Sequence, residues 1–198
     1  VPDPMNKFYG MIENIDENIT ALRKRLAAWG LAENTIFIFT TDNGSATGWR
    51  ARGKNATWKG FNAGMRAGKG SEYDGGHRVP FFLHWPKGGF DKGRDVDVLC
   101  AHVDIQATLA EFCGATVTGD RKRDGVSLVA AIKGDKTVLR NRTLMVQSQR
   151  VQVPEKWRKC SMMSDRWRLI NGKELYDIKA DPAQAKDVAA DHPEVVQH

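Results

Sequence analysis

The stretch TIFIFT, from Thr35 to Thr40, constrains the fold more than any other part of the chain. It is continuously apolar, rich in β-forming residues and too short for a helix. A strand covered on both faces reads this way, so the run predicts a sheet flanked by helices. One helix stands directly before it. Phe8, Ile12, Ile15, Ile19, Leu22, Leu26 and Trp29 recur at steps of three and four, which gathers one apolar stripe on a helix. Asp3-Pro4 suits its cap and first turn, and Gly30 its stop. Acidic Glu13, Asp16 and Glu17 precede basic Arg23, Lys24 and Arg25, as the helix dipole favours.

The chain of 198 residues has room for one domain and a smaller appendage. It has no low-complexity run, and no apolar span long enough for a transmembrane helix. The net charge of +6 gives a mild preference for anionic partners and is weak evidence of nucleic-acid binding. Neither a nucleic-acid nor a membrane partner is expected. Cys100, Cys113 and Cys160 are odd in number and form no Cys-x-x-Cys, which favours buried structural thiols over a zinc site or a disulfide framework. The chain opens on Val1 with no methionine or signal peptide, so a processed or truncated protein is expected.

Asp42-Asn43-Gly44 follows the carboxyl end of the predicted strand, the edge where open α/β sheets bind ligands. A carboxylate beside an amide oxygen is a pair of hard donors suited to Ca²⁺ or Mg²⁺. Asn-Gly is also a frequent hairpin turn, and both readings stand at this point. From Ser45 to Gly68 the chain is long and irregular, with Trp49, Arg50, Arg52, Trp58 and Arg66 interleaved. Such a loop suits a pocket for an anionic, ring-bearing molecule, single-stranded nucleic acid, or solvent alone. Next comes AGKGSEYDGGHRVP, from Ala67 to Pro80. It is not a phosphate-binding P-loop: Gly64 and Gly68 stand too close, Gly70 follows the lysine, and the next element is a strand, Val79 to Trp85. Lys69 instead sits on a bent loop that brings backbone and ammonium towards one anion, and Gly75-Gly76 turns the chain into the strand.

Taken together, these loops resemble the sulfatase family, within the alkaline-phosphatase-like superfamily. The resemblance extends through FYGMIENIDENITALRKRLAAWGLAENTIFIFTTDNG, VDVLCAHVDIQATLAEFCGA, DGVSLVAAIKG and DRWRLINGKELYDIKADPAQAKDVAADHPEVV, in the family's order. It implies an α/β fold: residues 1–138 would form the C-terminal part of a catalytic domain built on a helix-covered mixed sheet. Residues 139–198 would form a small α+β domain with an antiparallel sheet. Asp42 and Asn43 would be two ligands of a divalent cation, normally Ca²⁺ with Mg²⁺ possible, and Lys69 would contact the substrate's sulfate. His77, Arg78, Trp49 and Arg52 would lie on the substrate rim, with Tyr73 and Asp74 shaping the loop. His84, on a strand, and His102, before a helix, are read as structural.

No Cys/Ser-x-Pro/Ala-x-Arg motif, the source of the family's formylglycine nucleophile, occurs in the chain. The family's early pair of metal-binding aspartates is missing too. The resemblance therefore implies the C-terminal half of a sulfatase, inactive alone, with weak or no metal binding. Its partners would be a sulfated small molecule or glycan, and either the missing N-terminal half or further copies of itself. A periplasmic or secreted location follows from resemblance only. A phosphate or phosphonate ester hydrolase of the same superfamily and a non-catalytic anion-binding module are the alternatives. Farther on, Val103 to Phe112 reads as a short helix stopped by Gly114. RTLMVQSQR and KCSMMSDRWRLI read as strands, and Asn171-Gly172 as a hairpin turn before KELYDI. Asn55-Ala56-Thr57 and Asn141-Arg142-Thr143 match the glycosylation sequon, a pattern frequent by chance.

Overall fold

A computed structural model describes residues 4–46, 61–116 and 123–197. The chain divides into two compact units, Val1–Gly93 and Arg94–His198.

In the first unit, helix α1 spans Pro4–Ala28. Its proline opens the first turn, where a missing N–H costs nothing. Its end is closed by Gly30 at φ +68, with Gly30 N donating to Ala27 O at 3.0 Å and Leu31 N to Leu26 O at 2.9 Å. This paired closure satisfies the last carbonyls and needs the left-handed residue. A 3₁₀ turn, Ala32–Asn34, leads into strand β1, Phe37–Thr40. β1 pairs antiparallel with β2, Phe81–His84, with Phe37 opposite His84 and Thr40 opposite Phe81. The short helix α2, Asp74–His77, precedes β2. All four residues of β1 are half-buried. The expectation of a strand covered on both faces is therefore not met within this chain: among the described residues β2 is its one hydrogen-bonded neighbour. The sequence did read the strand's apolar character correctly, but that run cannot say which part of a protein supplies the cover.

The second unit holds α3, Asp104–Phe112, and α4, Val129–Ile132. These lead to a four-stranded antiparallel sheet in sequence order: β3 Leu144–Gln147, β4 Cys160–Met163, β5 Trp167–Ile170 and β6 Glu174–Asp177. Asn171 and Gly172 join β5 to β6 with φ of 54° and 66°. Two consecutive positive values are the signature of the hairpin turn whose twist matches the strands. A last helix, α5, spans Pro193–Gln197. One apolar cluster gathers Leu128, Ala131 and Leu139, with Val96, Val98 and Ile132 packed against it. In the sheet, Ile170 and Leu175 are completely buried.

A buried ion pair fastens the second unit. The Asp104 carboxylate, 0% exposed, accepts two hydrogen bonds from the Arg142 guanidinium, at 2.7 and 2.6 Å. The amides of Ala101 and Val126 also donate to it, at 2.8 and 3.0 Å. Burial alone would push the Asp104 carboxyl upward; the Arg142 hydrogen bonds, the two amides and the arginine's charge outweigh that and hold it below the usual carboxylate range. Arg142 belongs to the second sequon and is held in this pair; the first sequon lies outside the described residues. Of the cysteines, Cys160 is buried, whereas Cys100 and Cys113 are exposed, so the expectation of buried thiols holds for one of three. Cys113 falls at the end of α3, where the helix stops.

Candidate functional site

The site is built where β1 ends. Asp42, Asn43, Gly44 and Ser45 leave the strand as a loop rather than a tight hairpin, because the partner strand β2 begins only at Phe81. The loop is stitched to the glycine-rich segment by backbone bonds. Gly44 N donates to Gly76 O, and Lys69 N donates to Ser45 O, both at 3.0 Å. Lys69 is therefore joined directly to the loop that carries Asp42 and Asn43.

Three glycines make that approach possible. A Cβ on Gly44 would overlap the Gly75 carbonyl oxygen, one on Gly75 the Arg66 and Ala67 carbonyl oxygens, and one on Gly76 the Ser71 carbonyl oxygen. These obstacles are backbone and cannot swing aside. Gly75 and Gly76 do not simply turn the chain into a strand, as the sequence suggested. They lie buried inside α2, where the missing side chains let two loops touch. Gly75 N donates to Arg66 O at 2.9 Å, and Gly76 N to Tyr73 O at 2.8 Å.

The remaining predicted residues shape this loop. The Arg66 guanidinium lies 3.9 Å from the Tyr73 ring centroid, and Tyr73 N donates to Ser71 Oγ at 3.2 Å. Asp74 is buried, with its carboxylate 3.6 Å from the Arg78 guanidinium. His77 Nε2 lies 3.1 Å from the Glu72 carbonyl oxygen. The two ends of the predicted rim thus meet protein groups from their own loop. Trp49 and Arg52 lie outside the described residues. His84 stands on β2 and His102 just ahead of α3, the positions that the sequence predicted for them.

By contrast, the Asp42 carboxylate, the Asn43 side-chain amide and the Lys69 ammonium make no hydrogen bond or ion pair among the described residues. The Lys69 backbone amide is committed to Ser45 O. What Lys69 offers an anion is its exposed side chain. No group of three or more His, Cys, Asp or Glu that could hold a metal ion occurs among the described residues. Asp42 and Asn43 are two hard oxygen donors where Ca²⁺ takes six to eight. The resemblance brought the two loops together; the backbone contacts between them had only Gly44 and the doubled glycine as local signs.

Residues 2–115 match the Sulfatase family model, and residues 68–197 the model described as N-sulphoglucosamine sulphohydrolase, C-terminal. Steryl-sulfatase of Mus musculus is 32% identical over 130 residues, covering 63% of this chain and 20% of that protein. N-acetylgalactosamine-6-O-sulfatase of Bacteroides thetaiotaomicron is 29% identical over 206 aligned positions, covering 94% of this chain and 39% of that protein. The crystal structure of Ps i-CgsB superposes with a TM-score of 0.80 at 25% identity, over 99% of this chain and 42% of that one. The phosphonate monoester hydrolase of Agrobacterium radiobacter superposes with a TM-score of 0.66 at 24% identity, over 96% of this chain and 38% of that one, a likeness of fold alone. The chain thus spans well under half the length of these relatives. With the model match extending over more than half of its residues, the chain belongs to the sulfatase family.

Proposed function

We propose that this chain carries the cation- and sulfate-contacting loops of a sulfuric ester hydrolase. The Lys69 N to Ser45 O hydrogen bond carries the reading, because it joins the glycine loop's Lys69 ammonium to the loop bearing the Asp42 and Asn43 oxygens, all three without a side-chain bond among the described residues. Asp42 and Asn43 would hold a divalent cation, Ca²⁺ or Mg²⁺, as two of its ligands. Bound there, the cation would supply Lewis-acid stabilisation of charge on the sulfuryl oxygens. The Lys69 ammonium would hold the sulfate by a charge-assisted hydrogen bond. The formylglycine nucleophile would come from outside this chain. Residues 139–198 would form the small C-terminal domain. A sulfated small molecule or glycan is the substrate class.

Titration of isotopically labelled chain with sodium sulfate and calcium chloride tests this by NMR. Amides from 42 to 45 and from 69 to 71 are expected to move together. Lys69→Ala should weaken the sulfate response about tenfold or more, the worth of a charged hydrogen bond of about 1.5–3 kcal/mol. Asp42→Ala should remove the calcium response. A sulfate response untouched by Lys69→Ala, or a calcium response centred elsewhere, overturns the assignment. No turnover of p-nitrophenyl sulfate by the chain is expected, and measurable turnover would refute the external nucleophile. Methylphosphonate outcompeting sulfate would favour a phosphonate ester hydrolase, the reading that the phosphonate monoester hydrolase's fold suggests.

The uncovered stripe of α1 fits the same proposal. Ile12, Ile15 and Leu22 are exposed, and Trp29 is 62% exposed. A row of this kind is an interaction surface. In a longer protein it would meet more of the catalytic domain; in the chain alone it would drive self-association. Sedimentation equilibrium is expected to find oligomers, and Ile15→Lys with Leu22→Lys to shift them towards monomer. A wild-type chain that stays monomeric at tens of micromolar contradicts this.

A further inference from the structure

The loop between β3 and β4, residues 148–159, holds an aromatic ring in the open at a backbone cost. Trp157 has φ 64° and Lys159 φ 44°. Left-handed backbone at bulky residues costs on the order of 1–3 kcal/mol each and persists only where the surroundings enforce it. The enforcement is visible. Gln149 bridges to Glu155 twice, its Nε2 donating to Glu155 O at 2.7 Å and its Oε1 accepting from Glu155 N at 2.8 Å. Ser148 N donates to Lys159 O at 2.9 Å. The result is an indole resting on the β5–β6 turn: a Cβ on Gly172 would come within 2.9 Å of its Cδ2. The Trp157 residue is nevertheless 44% exposed, and the Lys156 ammonium lies 5.3 Å from its ring centroid.

The surroundings of the ring are cationic and apolar. Arg150, Lys156, Arg158 and Lys159 are exposed in the same loop, against one acid, Glu155, which pairs with Arg158 at 2.7 Å. Val153, 77% exposed, adds an apolar contact. An aromatic plate fringed by cations suits a ring with an apolar C–H face and negative substituents. Single-stranded nucleic acid is favoured instead by successive aromatic platforms, and this loop has one.

We infer that the 148–159 loop is a binding site for a sulfated carbohydrate chain, with a sugar ring stacked on Trp157 and its sulfates held by Lys156 and the neighbouring cations. The inference does not depend on Asp42, Asn43 or Lys69. Its test follows the Trp157 indole resonance, assigned with Trp157→Phe, as a heparin hexasaccharide is added. The expected result is a salt-dependent shift that is much weaker both with a hyaluronan hexasaccharide and with the fully desulfated, N-acetylated heparin hexasaccharide, which keep carboxylates but no sulfate. Trp157→Ala, followed at the Lys159 and Gly172 amides instead of the lost indole, should lower affinity about tenfold, as should Lys156→Ala with Arg158→Ala, a pair that leaves the ring and its turn in place. Lys69→Ala should leave this binding unchanged. Equal binding of the desulfated sugar, equal binding of a six-residue thymidine oligonucleotide, wild-type affinity in the Lys156→Ala/Arg158→Ala variant, or loss of binding in Lys69→Ala would each overturn the inference.

Discussion

Arg142→Ala is expected to destabilise the second unit by about 3–5 kcal/mol, the cost of leaving a buried charge without its partner. Asp104 is fully buried and receives both arginine bonds and two amide bonds, so deleting the guanidinium strands a carboxylate that water cannot reach. Domains are stable by about 5–15 kcal/mol, so a loss of this size takes a large fraction. Urea unfolding followed by amide exchange at Ala101 and Val126 reads it locally. A change below about 1 kcal/mol, the scale of an exposed pair, would contradict the geometry. Replacing both partners, Asp104→Leu with Arg142→Met, should recover only part of the loss: it removes the stranded charge but leaves the Ala101 and Val126 amides without their acceptor. Acid should act in the same direction as Arg142→Ala. The folded Asp104 carboxyl titrates below its unfolded counterpart, so its contribution is complete above the unfolded value of about 3.9 and is lost as pH falls through the lower folded one. Asp104→Asn should remove that part of the acid dependence.

Gly75→Ala is expected to separate the two loops of the candidate site. The added methyl would occupy the space of the Arg66 and Ala67 carbonyl oxygens, both backbone atoms, while Gly75 N is itself bonded to Arg66 O. Overpacking of this kind costs about 1–3 kcal/mol and occasionally more. The readable consequence is faster hydrogen exchange at Gly44 N and Lys69 N, the two amides that bridge the loops, with loss of the sulfate response. Gly70→Ala is the control. No atom stands within reach of a Cβ there, so its cost is confined to a φ of +82° and should be about 1–2 kcal/mol. Unchanged exchange at Lys69 in Gly75→Ala would show that the loops do not depend on this contact.

Elements defined by local pattern were legible before any coordinates. The apolar spacing of α1, its stop at Gly30, and the strands on either side of Asn171-Gly172 all depend on residues a few positions apart. The contacts that fasten the molecule were not. Asp104 and Arg142 lie 38 positions apart, and nothing about an aspartate near a helix start or an arginine in a loop foretells their pairing. Gly75-Gly76 looked like punctuation because close approach between distant loops leaves only small residues behind, with no period to detect. The candidate roles of Asp42, Asn43 and Lys69 came from family resemblance, since Asn-Gly by itself reads equally well as a turn. The structure adds the backbone bond that joins their loops.

The sheet of the second unit has one more implication. Each of its strands pairs with the next along the chain, β3 with β4, β4 with β5 and β5 with β6. Every pairing therefore closes a short stretch of polypeptide, and the entropy lost at each closure is small. Low contact order of this kind goes with rapid assembly. The last third of the chain can zip together strand by strand, each pairing holding the next within reach.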